Sequence, residues 1–369
     1  MREETFIKDM LAHIEVGVGG KNPWDIQVHD KRFYNRLLRD KNLGLGESYM
    51  EGWWDCPRLD EFICRILTGN LEERVKSSVK LLLPLLTAFF FNQQSVKRYH
   101  TIAERHYDIG NELFLSFLDP YNQYGCAYFD GTDDLAEAQL KKLAMICKKI
   151  HLSESDHVLD IGCGWGGFAK YAAERYACDV TAVNISQEQI RYAKKFCRDL
   201  PVVVINRDYR SIEGTFDKIV SVGMFEHVGY KNYKSFMQMA HRSLVEGGIF
   251  LLHTIGGNES RIKCDPWITK YIFPNGMLPS IKQISRAAEG LFIMEDWHTM
   301  GPHYDKTLMA WYKNFQKSWS RFACKYGDKF KRMWEYYLLS CAGALRARNI
   351  QLWQIVLTKH GTKHPHCRV

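Results

Sequence analysis

A carboxylate and two imidazoles fall at the ends of apolar runs in this 369-residue chain. Glu226 and His227 follow the run 216–222, within Ser221-Val-Gly-Met-Phe-Glu-His-Val-Gly229, and His253 stands in Leu251-Leu-His-Thr-Ile-Gly256. A Glu and a His brought together at neighbouring strand ends can move a proton or hold an anion. A buried, hydrogen-bonded Glu–His pair with no catalytic role fits the same residues equally well. Metal chemistry is the weaker reading, because the chain has no H-E-x-x-H and no cysteine pair at ligand spacing.

The second chemical feature is the stretch Val158-Leu-Asp-Ile-Gly-Cys-Gly-Trp-Gly-Gly167, an apolar strand running into a glycine-dense turn. Gly162, Gly164, Gly166 and Gly167 allow positive φ and a close approach of backbone to ligand, and the helix that follows offers unpaired N–H groups at its start. Gly162, Gly164 and Gly167 satisfy the dinucleotide pattern G-x-G-x-x-G, so the glycines alone do not separate NAD from S-adenosylmethionine (SAM). Asp160 separates them: a carboxylate two residues before the first glycine suits the cationic methionine end of SAM, whereas NAD sites usually have an apolar residue there. After the next strand Asn184 stands where an acidic residue normally holds the cofactor ribose, with Gln189 nearby; the missing acid counts against NAD. Asp208 and Tyr209 are candidates for the adenine amino group and Ile212 for packing on the ring, with ordinary loop residues as the alternative.

These residues need strands to place them. Strand-like runs occur at 158–161, 180–185, 202–205, 216–222, 249–254, 292–296 and 350–358, with helical periodicity between most of them. The pattern predicts a doubly wound α/β sheet with ligands at the carboxyl ends of its strands. Ser186 and Gln189 have capping-box spacing at the head of one helix. The N-terminal block is different: apolar residues at spacings of three and four predict amphipathic helices around 33–38 and 59–67, with a tight aromatic segment from Gly44 to Trp54 between them. This divides the chain into a helical domain at 1–91, a linker at 92–105 and an α/β domain at 106–369. Aromatic clusters at 121–129, 267–274 and 309–312 are candidates for lining a hydrocarbon channel or facing a cation, against the alternative of plain core packing.

Composition bounds the partners. With 46% hydrophobic and 25% charged residues the chain reads as globular, and its net charge of +8 is scattered, favouring an anionic surface without the concentrated stripe of a nucleic-acid binder. Eleven cysteines without a C-x-x-C pair, and a start lacking a signal-peptide core, suggest a reducing cytosol. The most lipid-like run, 81–91, is far short of the roughly 20 apolar residues of a membrane span.

Taken together, the motifs resemble the cyclopropane-fatty-acyl-phospholipid synthases. The resemblance rests on Gly44-Leu-Gly-Glu-Ser-Tyr-Met50 with Gly52-Trp-Trp54, His106-Tyr-Asp-Ile-Gly-Asn111, the stretches 158–167 and 220–229, Leu251-Leu-His-Thr-Ile-Gly256, Asp265-Pro-Trp-Ile268, the stretch 271–276, Met294-Glu-Asp-Trp-His298 and Cys341-Ala-Gly-Ala344. It implies a class I SAM-dependent methyltransferase fold with a smaller helical N-terminal domain for membrane docking. The implied reaction passes the SAM methyl carbon to a cis double bond of a phospholipid acyl chain, and a bicarbonate takes the proton released on ring closure. The resemblance further implies that Cys126, Glu226, His253, Ile255 and Tyr312 hold bicarbonate and that Cys341 matches a cysteine put forward as catalytic, although alkene methylation calls for no thiol nucleophile. Tyr124 and backbone N–H groups are left to meet the SAM carboxylate, because Gly125 replaces the family's usual serine. A homodimer, cytoplasmic and peripheral on the inner face of the cell membrane, with no nucleic-acid partner, completes what the resemblance implies. The rival readings are a methyltransferase that leaves a methyl or methylene branch or methylates a small amine, and a catalytically silent lipid-binding protein.

Overall fold

The computed structural model describes residues 2–69 and 110–369. The apolar run 81–91, the linker 92–105 and most of the motif 106–111 lie outside the described residues. In chain order the elements are α1 (Arg2–Ala12), β1 (Gln27–Val28), α2 (Arg32–Met50), β2 (Trp54–Asp55), α3 (Leu59–Thr68), α4 (Asn111–Leu115), α5 (Leu135–Lys149), β3 (His157–Ile161), α6 (Gly167–Tyr176), β4 (Asp179–Asn184), α7 (Gln187–Phe196), β5 (Val202–Asn206), β6 (Phe216–Val222), α8 (Tyr233–Ser243), β7 (Leu244–Gly257), α9 (Pro266–Tyr271), α10 (Ile281–Ala288), β8 (Ile293–Thr299), α11 (Gly301–Ser318), α12 (Ala323–Arg346) and β9 (Ile350–Thr358).

All seven strand-like runs become strands of one sheet, in the order β5-β4-β3-β6-β7-β9-β8. β9 is antiparallel to both β7 and β8, and the other pairs are parallel. Parallel strands covered on both faces must be apolar on both faces. Accordingly Leu159 and Ile161 enter one buried cluster while Val158 enters the other, with Val220 and Leu251 beside it. The strand order reverses between β3 and β6, where Asp160 pairs with Val220 and Ile161 with Ser221. A crevice opens beyond the carboxyl ends of strands at such a reversal, and here the glycine turn after β3 meets the Met224–Glu226 turn after β6.

The structure changes two local expectations. The segment from Gly44 is helical through Met50, the tight turn coming only at 51–53. Its glycine at 46 serves close approach, since a Cβ there would overlap the Trp267 indole. At α7, Ser186 Oγ accepts from Gln189 N at 3.4 Å, but the Gln189 side chain turns to Asn184 instead of returning to the Ser186 amide. Asn184 Oδ1 takes that amide at 3.3 Å and the Ile185 amide at 2.7 Å, so an asparagine performs the second half of the box. A reciprocal box does occur at α10, between Ser280 and Gln283.

The N-terminal elements do not close a core of their own. Phe33, Tyr49, Trp54 and Phe62 join one continuous buried cluster with Trp311, Phe315, Trp334 and Leu338 of α11 and α12. Burying each such Phe or Leu side chain contributes about 2 kcal/mol. Arg346 of α12 reaches the almost fully buried Asp60 of α3 at 2.6 Å and Asp305 of α11 at 2.9 Å, tying three helices together.

Candidate active site

The crevice at the strand reversal is walled by four segments. The loop Asn122, Gln123, Tyr124 and Gly125 forms one side, Asp160, Gly162, Gly164 and Trp165 the floor, Asn184 and Gln189 one rim, and Gly223, Met224, His227 and Phe273 the other. Gly162 and Gly164 have φ of 82° and 55°, and at Gly162 a Cβ would collide with the Met224 side chain, so the turn requires glycine there for both reasons. Gly166 has φ 84° but caps α6 behind the wall, where it packs against Ala193 and Cys197.

Asp160 is 2% exposed and its Oδ2 has no hydrogen-bond partner. Burial raises its carboxyl to about 7, a shift that the positive charge of Lys142 opposes. A buried carboxylate oxygen facing a crevice without a partner is costly unless a ligand supplies a donor. Asn184 Nδ2 donates to Gly164 O at 3.1 Å and to Gln189 Oε1 at 2.9 Å, which locks the rim to the glycine turn. Tyr124 lies on the opposite wall, its ring stacked 5.2 Å from Trp311 and its hydroxyl 2.9 Å from that of Tyr337.

Three expected cofactor contacts fall outside the lining. Asp208 caps a short 3-10 turn and its carboxylate accepts from the Arg210 amide and guanidinium. Tyr209 and Ile212 are buried in the core on one face of the sheet, with Tyr209 against Phe236 at 5.2 Å. A position after the third strand was legible in sequence, but the turn that swings these side chains inward was not.

The acid reaches the strand that carries the imidazole. β6 and β7 pair Val222 with His253, and the turn after β6 brings Glu226 Oε1 to accept from the Ile255 amide at 2.7 Å. Glu226 Oε2 is buried without a partner. Burial raises the carboxyl to about 7, against the lowering hydrogen bond from Ile255. His253 is 1% exposed, and burial holds its imidazole neutral. Gln354 Nε2 lies 3.2 Å from His253 Nδ1, which leaves the ring proton on Nε2, a second buried atom with no partner. One unpaired acceptor and one unpaired donor therefore sit on neighbouring strand ends. They suit a small group that both donates and accepts. Ile255 contributes differently from expectation: its N–H is engaged by Glu226, so it orients the carboxylate.

Cys126 is fully buried, its Sγ 3.1 Å from Ala127 O, and burial pushes the thiol well above its usual range. The structure does not bring Tyr312 to these groups. Tyr312 lines a separate groove with Lys313 and Lys317, and its hydroxyl neighbours are Gln316, Glu335 and Asp60. The tyrosine that does join them is Tyr304, one helical face away on α11: buried at 8% exposure, its phenol interacts with Tyr124, Cys126, Cys341 and Glu226. A signal was present in the sequence. Tyr304, Leu308, Trp311 and Phe315 recur at spacings of four and three, the inward stripe of α11, and Tyr312 is one residue off it. Cys341 lies at the back of the same cluster, partly buried, its thiol raised to about 12 by burial and by Cys264 and Asp265. Such a thiol is no nucleophile at neutral pH. His227, expected beside Glu226 at the strand ends, does line the crevice, and Gln123, Trp165, Met224 and Phe273 line it without having been proposed individually as site residues. Burial lowers His227 to about 4, so its imidazole is neutral. Among the described residues no His/Cys/Asp/Glu cluster could hold a metal ion.

Comparison with known proteins agrees with this geometry. The family model described as Mycolic acid cyclopropane synthetase matches residues 94–355. The cyclopropane-fatty-acyl-phospholipid synthase of Escherichia coli (strain K12) is 49% identical over 351 residues, covering 95% of this chain and 92% of that protein. Among solved structures, the cyclopropane synthase MmaA2 from Mycobacterium tuberculosis aligns with a TM-score of 0.67 at 28% identity, covering 70% of this chain and 98% of that one. The mycolic acid cyclopropane synthase CmaA1 complexed with SAH and CTAB aligns at 0.66 with 31% identity, over the same shares.

Proposed function

The chain belongs to the mycolic acid cyclopropane synthetase family and is a SAM-dependent methyltransferase acting on lipid, and from that premise we propose that it cyclopropanates cis-unsaturated acyl chains of membrane phospholipids, with a bound bicarbonate as base. The observation that carries the proposal is the pair of buried, partnerless atoms Glu226 Oε2 and His253 Nε2 beside the donor crevice. The E. coli relative supports the substrate class, because it covers the N-terminal elements that the mycolic acid enzymes leave unmatched. No helix among the described residues is long and apolar enough to cross a membrane.

SAM, when bound, supplies the methyl carbon as an electrophile on a sulfonium. Asp160 and the rim formed by Asn184 and Gln189 would hold its polar ends, while the glycine turn admits its backbone-hugging portion. An alkene is a weak nucleophile, so alignment and exclusion of water are what the protein can contribute. With the alkene held in line with the sulfonium methyl, its π electrons would form the new C–C bond as the C–S bond breaks, with S-adenosylhomocysteine as leaving group and the positive charge passing to the acyl chain. Loss of a proton from the added carbon then releases the C–H electrons to close the ring.

The aromatic surfaces of Tyr124, Trp311 and Phe273 suit a developing cation. Bicarbonate, when bound, supplies a weak base that a dry pocket otherwise lacks. Glu226 Oε2 would accept its O–H, His253 Nε2 would donate to it, and Tyr304 stands in reach of the same group.

The test is to incubate purified protein with methyl-labelled SAM and anionic vesicles of cis-monounsaturated phospholipid, then to analyse the acyl chains by mass spectrometry after hydrogenation. We expect labelled chains one CH₂ heavier that take up no hydrogen. Labelled chains that do take up hydrogen would identify a methylene-branching enzyme, and absence of label from lipid would reject the lipid reading.

A further inference from the structure

Gln139 and Lys142 lie three residues apart on α5, on one helical face, and both are completely buried. An ammonium removed from water persists only where acceptors and opposite charges offset its lost hydration. Here the acceptor is specific: Lys142 Nζ donates to Gln123 Oε1. Gln139 Nε2 donates to Gly125 O at 2.8 Å and to Gln123 O at 3.4 Å. Asp119 completes the arrangement, its two carboxylate oxygens accepting from the Tyr121 and Gln123 amides at 2.8 Å each.

All of these bonds converge on one loop. Asn122, Gln123, Tyr124 and Gly125 form a wall of the donor crevice, whereas Gln139 and Lys142 do not line it. From the other side the loop is braced by the first residue of α6, since a Cβ on Gly167 would overlap Tyr121 O and Nε2 of the Gln123 side chain. The groups that face the Lys142 ammonium are Asp119 and Cys126 from the loop, Asp160 from β3, Cys147 from its own helix and His253 from β7. Asp160 is the acidic floor of the crevice, and among the described residues Lys142 is the cation acting on it.

We propose that Lys142, with Gln139, is a positioning residue for the methyl donor: it fixes the 121–125 loop against the crevice and supplies the countercharge beside Asp160, without touching the donor itself. The proposal rests on the SAM reading given above. It makes α5 part of the donor site, although that helix contributes no lining residue.

The experiment measures binding of S-adenosylhomocysteine by titration calorimetry to the full chain, wild type against Lys142→Met and Gln139→Met, from acidic to alkaline pH, with thermal unfolding recorded in parallel. Wild-type affinity should fall as pH falls through about 7, where Asp160 takes up a proton. Lys142→Met should bind about tenfold more weakly or worse, as expected for a misplaced wall and a lost countercharge, and its acid limb should move to higher pH, because removing a neighbouring cation raises a carboxyl. Gln139→Met should bind more weakly while keeping the wild-type limb. A merely structural lysine would lower the unfolding temperature without moving that limb. Wild-type affinity and an unmoved limb in Lys142→Met would overturn the proposal. If Lys142→Met does not fold, Gln139→Met decides alone, unchanged affinity again overturning it. Failure of the wild type itself to bind S-adenosylhomocysteine would overturn the donor reading and this proposal with it.

Discussion

Glu226 carries one hydrogen bond and one bare oxygen, and that asymmetry makes it the residue whose replacement should be most informative. If its ionised form is needed to accept a proton-bearing ligand, turnover should rise with pH through about 7, the value to which burial lifts it. Glu226→Gln keeps the shape but not the charge, so we expect a fall in kcat of about 100-fold or more, loss of that pH limb, and SAM affinity near wild type. Tyr304→Phe should lower kcat by about tenfold, whereas Tyr312→Phe should leave it unchanged; steady-state assays on vesicles across pH measure all three. Glu226 and His253 were legible as a pair because each follows an apolar run at the strand ends. The correct tyrosine was obscured because two tyrosines eight residues apart on one helix differ in direction by less than a quarter turn.

At the scale of elements, the apolar runs announced the strands, and all seven entered the sheet, although β7 extends well beyond the expected 249–254 to span Leu244–Gly257 and β8 runs on to Thr299. Helix heads were less legible. The spacing of Ser186 and Gln189 predicted a reciprocal cap, but Asn184, one turn earlier, competes for both the free amide and the glutamine. Such local competition is invisible to a spacing rule. The α6 head shows the opposite case, in which a motif glycine matters for what it abuts. Gly167 has no room for a methyl group between its helix and the 121–125 loop. We therefore expect Gly167→Ala to fold but to weaken SAM binding by about tenfold or more, through displacement of that loop; calorimetry with a circular-dichroism check on folding distinguishes the two effects.

At the scale of the whole molecule, the N-terminal elements and the long helices α11 and α12 share one apolar core, so they stabilise each other rather than standing apart. Arg346 is the polar fastener of that contact. Arg346→Ala leaves the buried Asp60 with Arg58 alone, and we expect a loss of about 2 kcal/mol, discounted from the value for a fully buried pair because the arginine is partly exposed. Denaturant unfolding measures it. An unchanged midpoint would show that the contact is apolar packing only.

The amino-acid sequence by itself determined the seven strands of the main sheet, the glycine turn, the acid before it and the family, because these depend on short-range periodicity and on residue types at fixed spacing; the short β1–β2 pair was not legible in it. The tertiary structure decided that Tyr304 rather than Tyr312 is buried among Tyr124, Cys126 and Cys341, that Asp208, Tyr209 and Ile212 are not part of the crevice lining, and that Lys142 is buried against the loop that walls it. Those outcomes depend on how separate elements pack, on which face of a helix meets the sheet and which charge is buried beside which, and long-range packing of that kind leaves no local pattern in the chain.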